Sequence, residues 1–272
     1  MTSERSAALL QAVVSRRDPI DLAAVLASAR LQTRVDRKYL LTPGQFAALA
    51  ERLHDGFRVL DIDDRRMHGY ESVYFDTPGL ECYRHHRQGR RRRFKVRTRA
   101  YTDTDEQLLE VKLEGPRGST DKRRLPLPNG SIGREPARLD THGWSFVAAV
   151  LDEYGVAVPS RLEQSLVTTY RRTTLVDPLA GARLTLDVDL EFSHGAHRVR
   201  GPDRVLVESK STGSSLADDT LADLGIRPAS LSKYCVGLAV TRPDVPANRW
   251  SRLLRQEFGW QRAAMVDTGI PA

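Results

Sequence analysis

The sequence predicts an α+β fold, a closed antiparallel β-barrel (a tunnel) of about eight strands with short helices packed outside it. Two observations predict this. From residue 33 onward, short strand-like segments are separated by glycine- and proline-containing turns, with only brief helical stretches between them. Within those segments charged and apolar residues alternate with a period of two, as in a strand with one polar and one apolar face.

Taken in order, residues 7–14 and 22–29 are two apolar-periodic helices, parted by Asp18-Pro19 and packed outside the main fold. A strand over 34–41 ends at Thr42-Pro43, an N-cap and first-turn pair that opens a helix to about Leu53. Strands over 57–62 and 68–75 follow, and Asp76-Thr77-Pro78-Gly79 closes the second. Asp76 or Thr77 is the N-cap of a helix over 80–86, in which Tyr83 packs. Strands at 91–101, 107–113 and 121–127 are punctuated by Gly115-Pro116, Gly118 and Pro128-Asn129-Gly130. A helix over 143–154 carries Trp144, Phe146, Val147, Val150 and Leu151 on one side. Strands at 166–176, 182–192 and 204–210 complete the sheet. Helices at 215–224 and 232–240 follow, and a basic amphipathic stretch at 250–260 docks as a last helix.

A chain of 272 residues suits one large domain with terminal additions. An apolar fraction of 40% supports a core but not a membrane protein. The longest N-terminal apolar run is too short, and too charged at its flanks, for a signal peptide or a membrane span. Cys82 and Cys235 cannot form a disulfide framework, so a soluble cytoplasmic protein is expected. The net charge of +7, from 42 Lys and Arg against 35 Asp and Glu, points to an anionic partner. It does not choose among nucleic acid, anionic membrane and phosphate-rich small molecules.

The strand faces do choose. Arg34, Asp36 and Lys38 share a face, as do Arg93, Lys95, Arg97 and Arg99; Glu110 and Lys112; Arg183, Thr185, Asp187, Asp189 and Glu191; and Glu208 and Lys210. A half-solvated sheet alternates in the same way. The all-positive row from Arg93 to Arg99 is different. Neighbouring like charges about 7 Å apart repel by roughly 0.5–2 kcal/mol per pair. A surface selected for stability has no reason to build that row, whereas a site for a polyanion does. Turned inward, these faces give one cationic wall (Lys38, Arg97, Arg99, Lys112) and one acidic wall (Asp187, Asp189, Glu208). Cations clamp phosphoryl oxygens, and carboxylates hold Mg²⁺ or Mn²⁺ bridging the same oxygens.

The run Arg90–Arg93 is either a positively charged rim or a charged turn, and His85, His86, His194 and His197 are surface residues. The sequence has no Ser-His-Asp arrangement, glycine-rich P-loop or zinc-type spacing. Nucleic acid is not the expected partner, because stacking platforms are lacking and acids beside the cations would repel a phosphodiester backbone.

The series Arg34-Val-Asp36-Arg-Lys38-Tyr39, Tyr74-Phe75-Asp76-Thr77, Lys95-Val-Arg97-Thr-Arg99, Glu110-Val-Lys112, Tyr170-Arg-Arg172, Leu186-Asp187, Glu208-Ser-Lys210 and Ser232-Lys233-Tyr234 resembles the VTC-type polyphosphate polymerase domain. That family belongs to the triphosphate tunnel metalloenzymes, the CYTH-like superfamily. The fragments occur in the family's order across most of the chain. The resemblance implies residues 31–240 as the tunnel domain, 1–30 as an N-terminal helical extension and 241–272 as a C-terminal helical tail. It implies transfer of the γ-phosphoryl group of a nucleoside triphosphate, with ATP expected, to a growing polyphosphate chain, with Mn²⁺ or Mg²⁺ as cofactor. By matching position, Lys38, Arg97, Arg99, Lys112, Arg172 and Lys233 hold the triphosphate and product chain. Arg171 is an alternative to Arg172, because the doubled arginine blurs the register. Arg34, Lys95, Arg171, Arg183 and Lys210 are further substrate-binding candidates. Glu208 is the expected metal ligand; Asp187, Asp189 and Asp36 are candidates beside it, and which of these acids touch metal stays open.

The chain departs from the family in having Asp36 where Glu is usual. The sequence is expected to carry neither the phosphate-sensing helical domain nor the transmembrane segment of eukaryotic relatives, so membrane translocation of product would need a separate membrane protein partner. Hydrolytic relatives resemble E-x-E-x-K in the first strand, and here Arg34 takes the first of those positions. A cation there favours a phosphate acceptor over water. The readings left beside polymerisation are an inorganic or nucleoside triphosphatase on the same scaffold and a non-catalytic polyphosphate-binding module.

Overall fold

The computed structural model describes residues 4–29, 35–104, 106–114, 120–128 and 138–261. Arg34, Gly115-Pro116, Gly118 and Asn129-Gly130 lie outside the described residues. In chain order the first half runs α1 (Glu4–Val14), β1 (Pro19–Ile20), α2 (Leu22–Ala29), β2 (Val35–Leu41), α3 (Pro43–Arg52), β3 (Arg58–Leu60), β4 (His68–Asp76), α4 (Glu81–Gln88), β5 (Arg93–Tyr101), β6 (Gln107–Glu114) and β7 (Thr120–Leu127). The second runs α5 (Thr141–Glu153), β8 (Glu163–Asp177), β9 (Ala182–His194), β10 (His197–Arg200), β11 (Val205–Ser211), α6 (Leu216–Asp223), α7 (Lys233–Thr241) and α8 (Ser251–Phe258).

Local chemistry places the helix starts. Thr42 and Gln45 form a reciprocal capping box ahead of Pro43, and Ser215 and Asp218 do the same for α6. The start of α4 differs from expectation: Leu80, in the left-handed region at φ 55°, occupies the N-cap position. Asp76 and Thr77 still accept helix N–H groups from upstream, Asp76 from Cys82 and Tyr83, Thr77 from Glu81. The strands β1 and β10 are unannounced by alternation because each is short; β10 is a hairpin return of β9 around Gly195.

The main sheet has the order β2-β11-β9-β8-β4-β5-β6-β7, with antiparallel neighbours throughout. Among the described residues nothing pairs β7 with β2, so the sheet is a curled half-barrel and not the closed barrel expected. Face alternation does not encode whether two edges meet. Here Pro126 removes a donor from β7, and Asp36-Arg37-Lys38 charge the β2 edge, as suits unpaired edges. The curl is visible in charge: Lys38 on β2 acts on Lys95 on β5, although the two strands are five steps apart, about 24 Å across a flat sheet.

Two apolar cores cover the outer face. Leu10 of α1, Phe46 and Leu49 of α3 and Leu221 of α6 pack on Leu184, Leu186, Val205 and Val207. Val147, Val150 and Leu151 of α5 pack on Val96, Leu109, Val111 and Leu113. The third core corrects the expectation that all helices lie outside. Tyr234 and Leu238 of α7 pack with Tyr83 of α4 and Leu254 of α8 against Tyr74, Leu166, Tyr170 and Leu206. Those strand residues alternate in step with Arg97, Arg172 and Glu208, so α7 lies on the polar, inner face and plugs part of the hollow. Gly237 makes this possible: a Cβ there would lie 2.4 Å from Phe192 Cδ1 and 2.7 Å from Leu166 Cδ2.

Candidate active site in the half-barrel

The inner face gathers most of the sequence-predicted cations. On β5, Arg97 donates to Glu110 Oε2 at 2.7 Å and to the Tyr74 hydroxyl at 3.0 Å. The Arg99 guanidinium lies 3.6 Å from the same carboxylate and 5.5 Å over the Tyr70 ring. Lys122 and Arg124 of β7 reach Glu110 Oε1 at 2.5 and 3.3 Å. One buried carboxylate is thus shared by four cations, and the local charge stays positive. Burial alone would raise the Glu110 carboxyl, but Arg97 and Lys122 bring it down to about 2.

Lys112 is 3.5 Å from Glu114 and sits in register with Lys95 on one side and Lys122 on the other. Like charges directly across a sheet oppose folding. Among the described residues the Lys95 ammonium makes no ion pair, and the group facing it in register is Lys112. Burial, with Lys112 and Lys38 nearby, lowers its ammonium to about 8.

Two strands from β5, on the far side of Tyr70, Arg172 makes a bidentate pair with Asp187, at 2.5 and 2.8 Å, and Lys233 at the start of α7 also donates to Asp187. Tyr70 and Tyr170 stack at 5.2 Å and 8°. Arg172 lies 5.2 Å over the first ring and Lys233 4.4 Å over the second, so the tyrosines fix both cations in place. Burial alone would raise Asp187, but Arg172 and Lys233 hold it below the usual carboxylate range. Glu208 meets Lys210 at 3.1 Å and Lys38 at 3.7 Å. Those two cations, against the effect of burial, hold its carboxyl well below the usual range.

The structure separates the doubled arginine. Arg172 is opposite Asp187 inside, whereas Arg171 is opposite Val188 and half-exposed, paired with Asp189. The reason is a bulge: the β8–β9 register shifts between Thr169 and Arg171, and Asp189 adopts φ 54°. Strict alternation put Asp187, Asp189 and Glu191 on one side. The bulge resets it, so Asp189 pairs with Arg171 and not with the Glu208 group, while Leu190 and Phe192 join the inner core. Asp36 is exposed and 3.5 Å from Lys210. Arg183 is half-buried opposite Lys210 at the far end of β9.

Glu110, Lys122, Arg124 and the tyrosines Tyr70, Tyr74 and Tyr170 were not singled out as site residues by sequence reasoning. The signal existed for β7: Lys122 and Arg124 alternate in step with Glu110 and Lys112. His86 is also not a surface residue. It is buried, bonded through Nδ1 to the Cys82 carbonyl, and burial beside Lys95 brings it down to about 2, so it is neutral.

Of the inner acids, Glu208 is the one a divalent metal could reach, with its side chain 16% exposed. Mg²⁺ is held by one or two carboxylates with phosphate oxygens completing its sphere, and Glu208 is a lone, partly buried carboxylate kept ionised. Among the described residues no three His, Cys, Asp or Glu side chains converge on one point. Asp187 and Glu208 are each paired with two cations, but Asp187 is buried whereas Glu208 is partly exposed.

No curated protein matches the sequence. PH1819 from Pyrococcus horikoshii OT3 is similar in structure at 13% identity and a TM-score of 0.41, covering 76% of this chain and 98% of that one. HpAC1 from Hippeastrum, a putative adenylyl cyclase described as having a dominant triphosphatase activity, is similar at 18% identity and a TM-score of 0.46, covering 79% and 99%. The VTC domain family model matches residues 33–242, which contain every strand of the main sheet and every charged side chain of the site. By that match, this chain belongs to the VTC domain family.

Proposed function

We propose that this protein transfers the γ-phosphoryl group of a nucleoside triphosphate, ATP in the first instance, to the end of a growing inorganic polyphosphate. The observation that carries the reading is the inner row of Lys95, Arg97 and Arg99, with Arg172 and Lys233 gathered beside it around the Tyr70/Tyr170 pair and Lys38 near Lys95 around the curl. Two polyanions must approach to bonding distance, and these cations supply the neutralisation and in-line alignment.

In this reading Arg172 and Lys233, steered by Asp187 and the Tyr70/Tyr170 pair, grip the transferred phosphoryl group. Arg97 and Arg99 hold the adjoining phosphates, and the lysines of β5, β6 and β7 carry the chain onward. An acceptor phosphate is already ionised near neutral pH, so no strong general base is needed. Mn²⁺ or Mg²⁺ held by Glu208 would neutralise phosphate oxygens during transfer. The free, buried Cys82 and Cys235 suit a reducing compartment, and we place the reaction in the cytoplasm.

The half-barrel's unpaired edges favour one second reading, a triphosphatase, because an open hollow admits water as a competing acceptor. Incubation with ATP and Mn²⁺, followed by gel resolution of products, separates the two. Polymerisation gives a phosphate ladder lost in Arg97→Ala; hydrolysis gives free phosphate alone. Binding without turnover marks a non-catalytic module.

A further inference from the structure

We propose that Asp76 is a positioning residue of this site, acting through Tyr234 on Lys233 and, through the stacked Tyr74 ring, on Arg97. Asp76 is 1% exposed. Its Oδ1 accepts the N–H groups of Thr77 at 2.7 Å and Cys82 at 2.9 Å, and its Oδ2 accepts the Tyr83 N–H at 2.9 Å and the Tyr234 hydroxyl at 2.5 Å. One carboxylate therefore ties together the end of β4, the first turn of α4 and the first turn of α7.

A helix cap alone would explain the three N–H bonds but not the fourth. Tyr234 comes from 158 residues away in sequence, and its chain neighbour is Lys233. Residues adjacent on a helix point about 100° apart. Anchoring Tyr234 towards α4 therefore fixes the direction in which Lys233 leaves the helix, over Tyr170 and onto Asp187. The first turn of α7 is also held by the Ser232 N-cap, which accepts from Cys235 N at 3.3 Å, and by burial of Tyr234 and Cys235. Of these contacts, the hydroxyl bond is the one that fixes the Tyr234 ring end towards α4. The same Tyr234 ring stacks on Tyr74 at 5.0 Å and 26°, and the Tyr74 hydroxyl accepts from Arg97. The Asp76–Tyr234 bond thus bears on two cations of the site, Lys233 and Arg97.

The proposal rests on the triphosphate site described above, so its test needs one arm that is independent of that site. The first arm measures the rate at which an amine-acylating reagent modifies Lys233, read by peptide mass spectrometry. Tyr234→Phe keeps the ring and its packing but removes the hydroxyl, and Asp76→Asn is the second variant. Both should speed Lys233 labelling by about tenfold, on the scale of one lost hydrogen bond to a charged group. The second arm is a double-mutant cycle on tripolyphosphate affinity. Tyr234→Phe should weaken binding by a similar factor in the wild type and by less than about twofold in a Lys233→Met, Arg97→Gln background.

Labelling at the wild-type rate overturns the proposal, as does a Tyr234→Phe loss of affinity that is equally large in that background, which is the behaviour of a merely structural bond. A wild-type protein that does not bind tripolyphosphate overturns the triphosphate reading instead. The labelling arm then still decides whether Asp76 fixes Lys233.

Discussion

At the scale of single residues, the site is a contest between cations that oppose the fold and the anion they would hold. Lys95 shows it most openly, its ammonium making no ion pair among the described residues and having like charges beside it. Its folded ammonium loses its proton near 8 and an unfolded lysine near 10.5. Below pH 8 the folded state carries a charge it disfavours, so the cost is fully present at neutral pH and is relieved between pH 8 and 10.5. Lys95→Met is therefore expected to stabilise the protein at pH 7 by about 1–3 kcal/mol in chemical denaturation. It should weaken tripolyphosphate binding and abolish the part of the affinity that falls above pH 8. The arginine pair gives a sharper contrast. Arg172→Ala strips a buried carboxylate of its bidentate partner and should reduce turnover by about 2–5 kcal/mol in barrier, at least thirtyfold. Arg171→Ala removes a half-exposed pair and should change turnover by less than about threefold.

At the scale of elements, strands were more legible than the places where they break. The inner and outer faces of β5, β6 and β11 follow from period-two alternation, because each pairs without a bulge. The β9 face was misread beyond Asp187, because the bulge depends on how β8 and β9 align over long distance, and an aspartate at φ 54° leaves little trace in the chain. The helix α7 was legible as a helix but not as a plug. It is buried on nearly every side, so it has no polar face to orient it. Gly237 is the residue that lets it in. Gly237→Ala should force α7 away from Phe192 and Leu166, destabilise the fold by about 1–3 kcal/mol in urea, and weaken tripolyphosphate binding through displacement of Lys233.

At the scale of the whole molecule, the sequence and the structure agree on an α+β tunnel-like sheet with a charged interior, and differ on closure. Edge pairing is decided by the geometry of β2 and β7, not by the residues that alternate along them, and the one residue used to separate polymerisation from hydrolysis, Arg34, lies outside the described residues. The central claim is that the hollow holds a triphosphate between the β5 arginines and Glu208. A crystal soaked with a non-hydrolysable triphosphate and Mn²⁺ tests it directly. The expected result is phosphate density bridging Arg97 and Arg99 to Arg172 and Lys233, with Mn²⁺ on Glu208. A ligand seated outside the hollow, or a metal held away from Glu208, would contradict it.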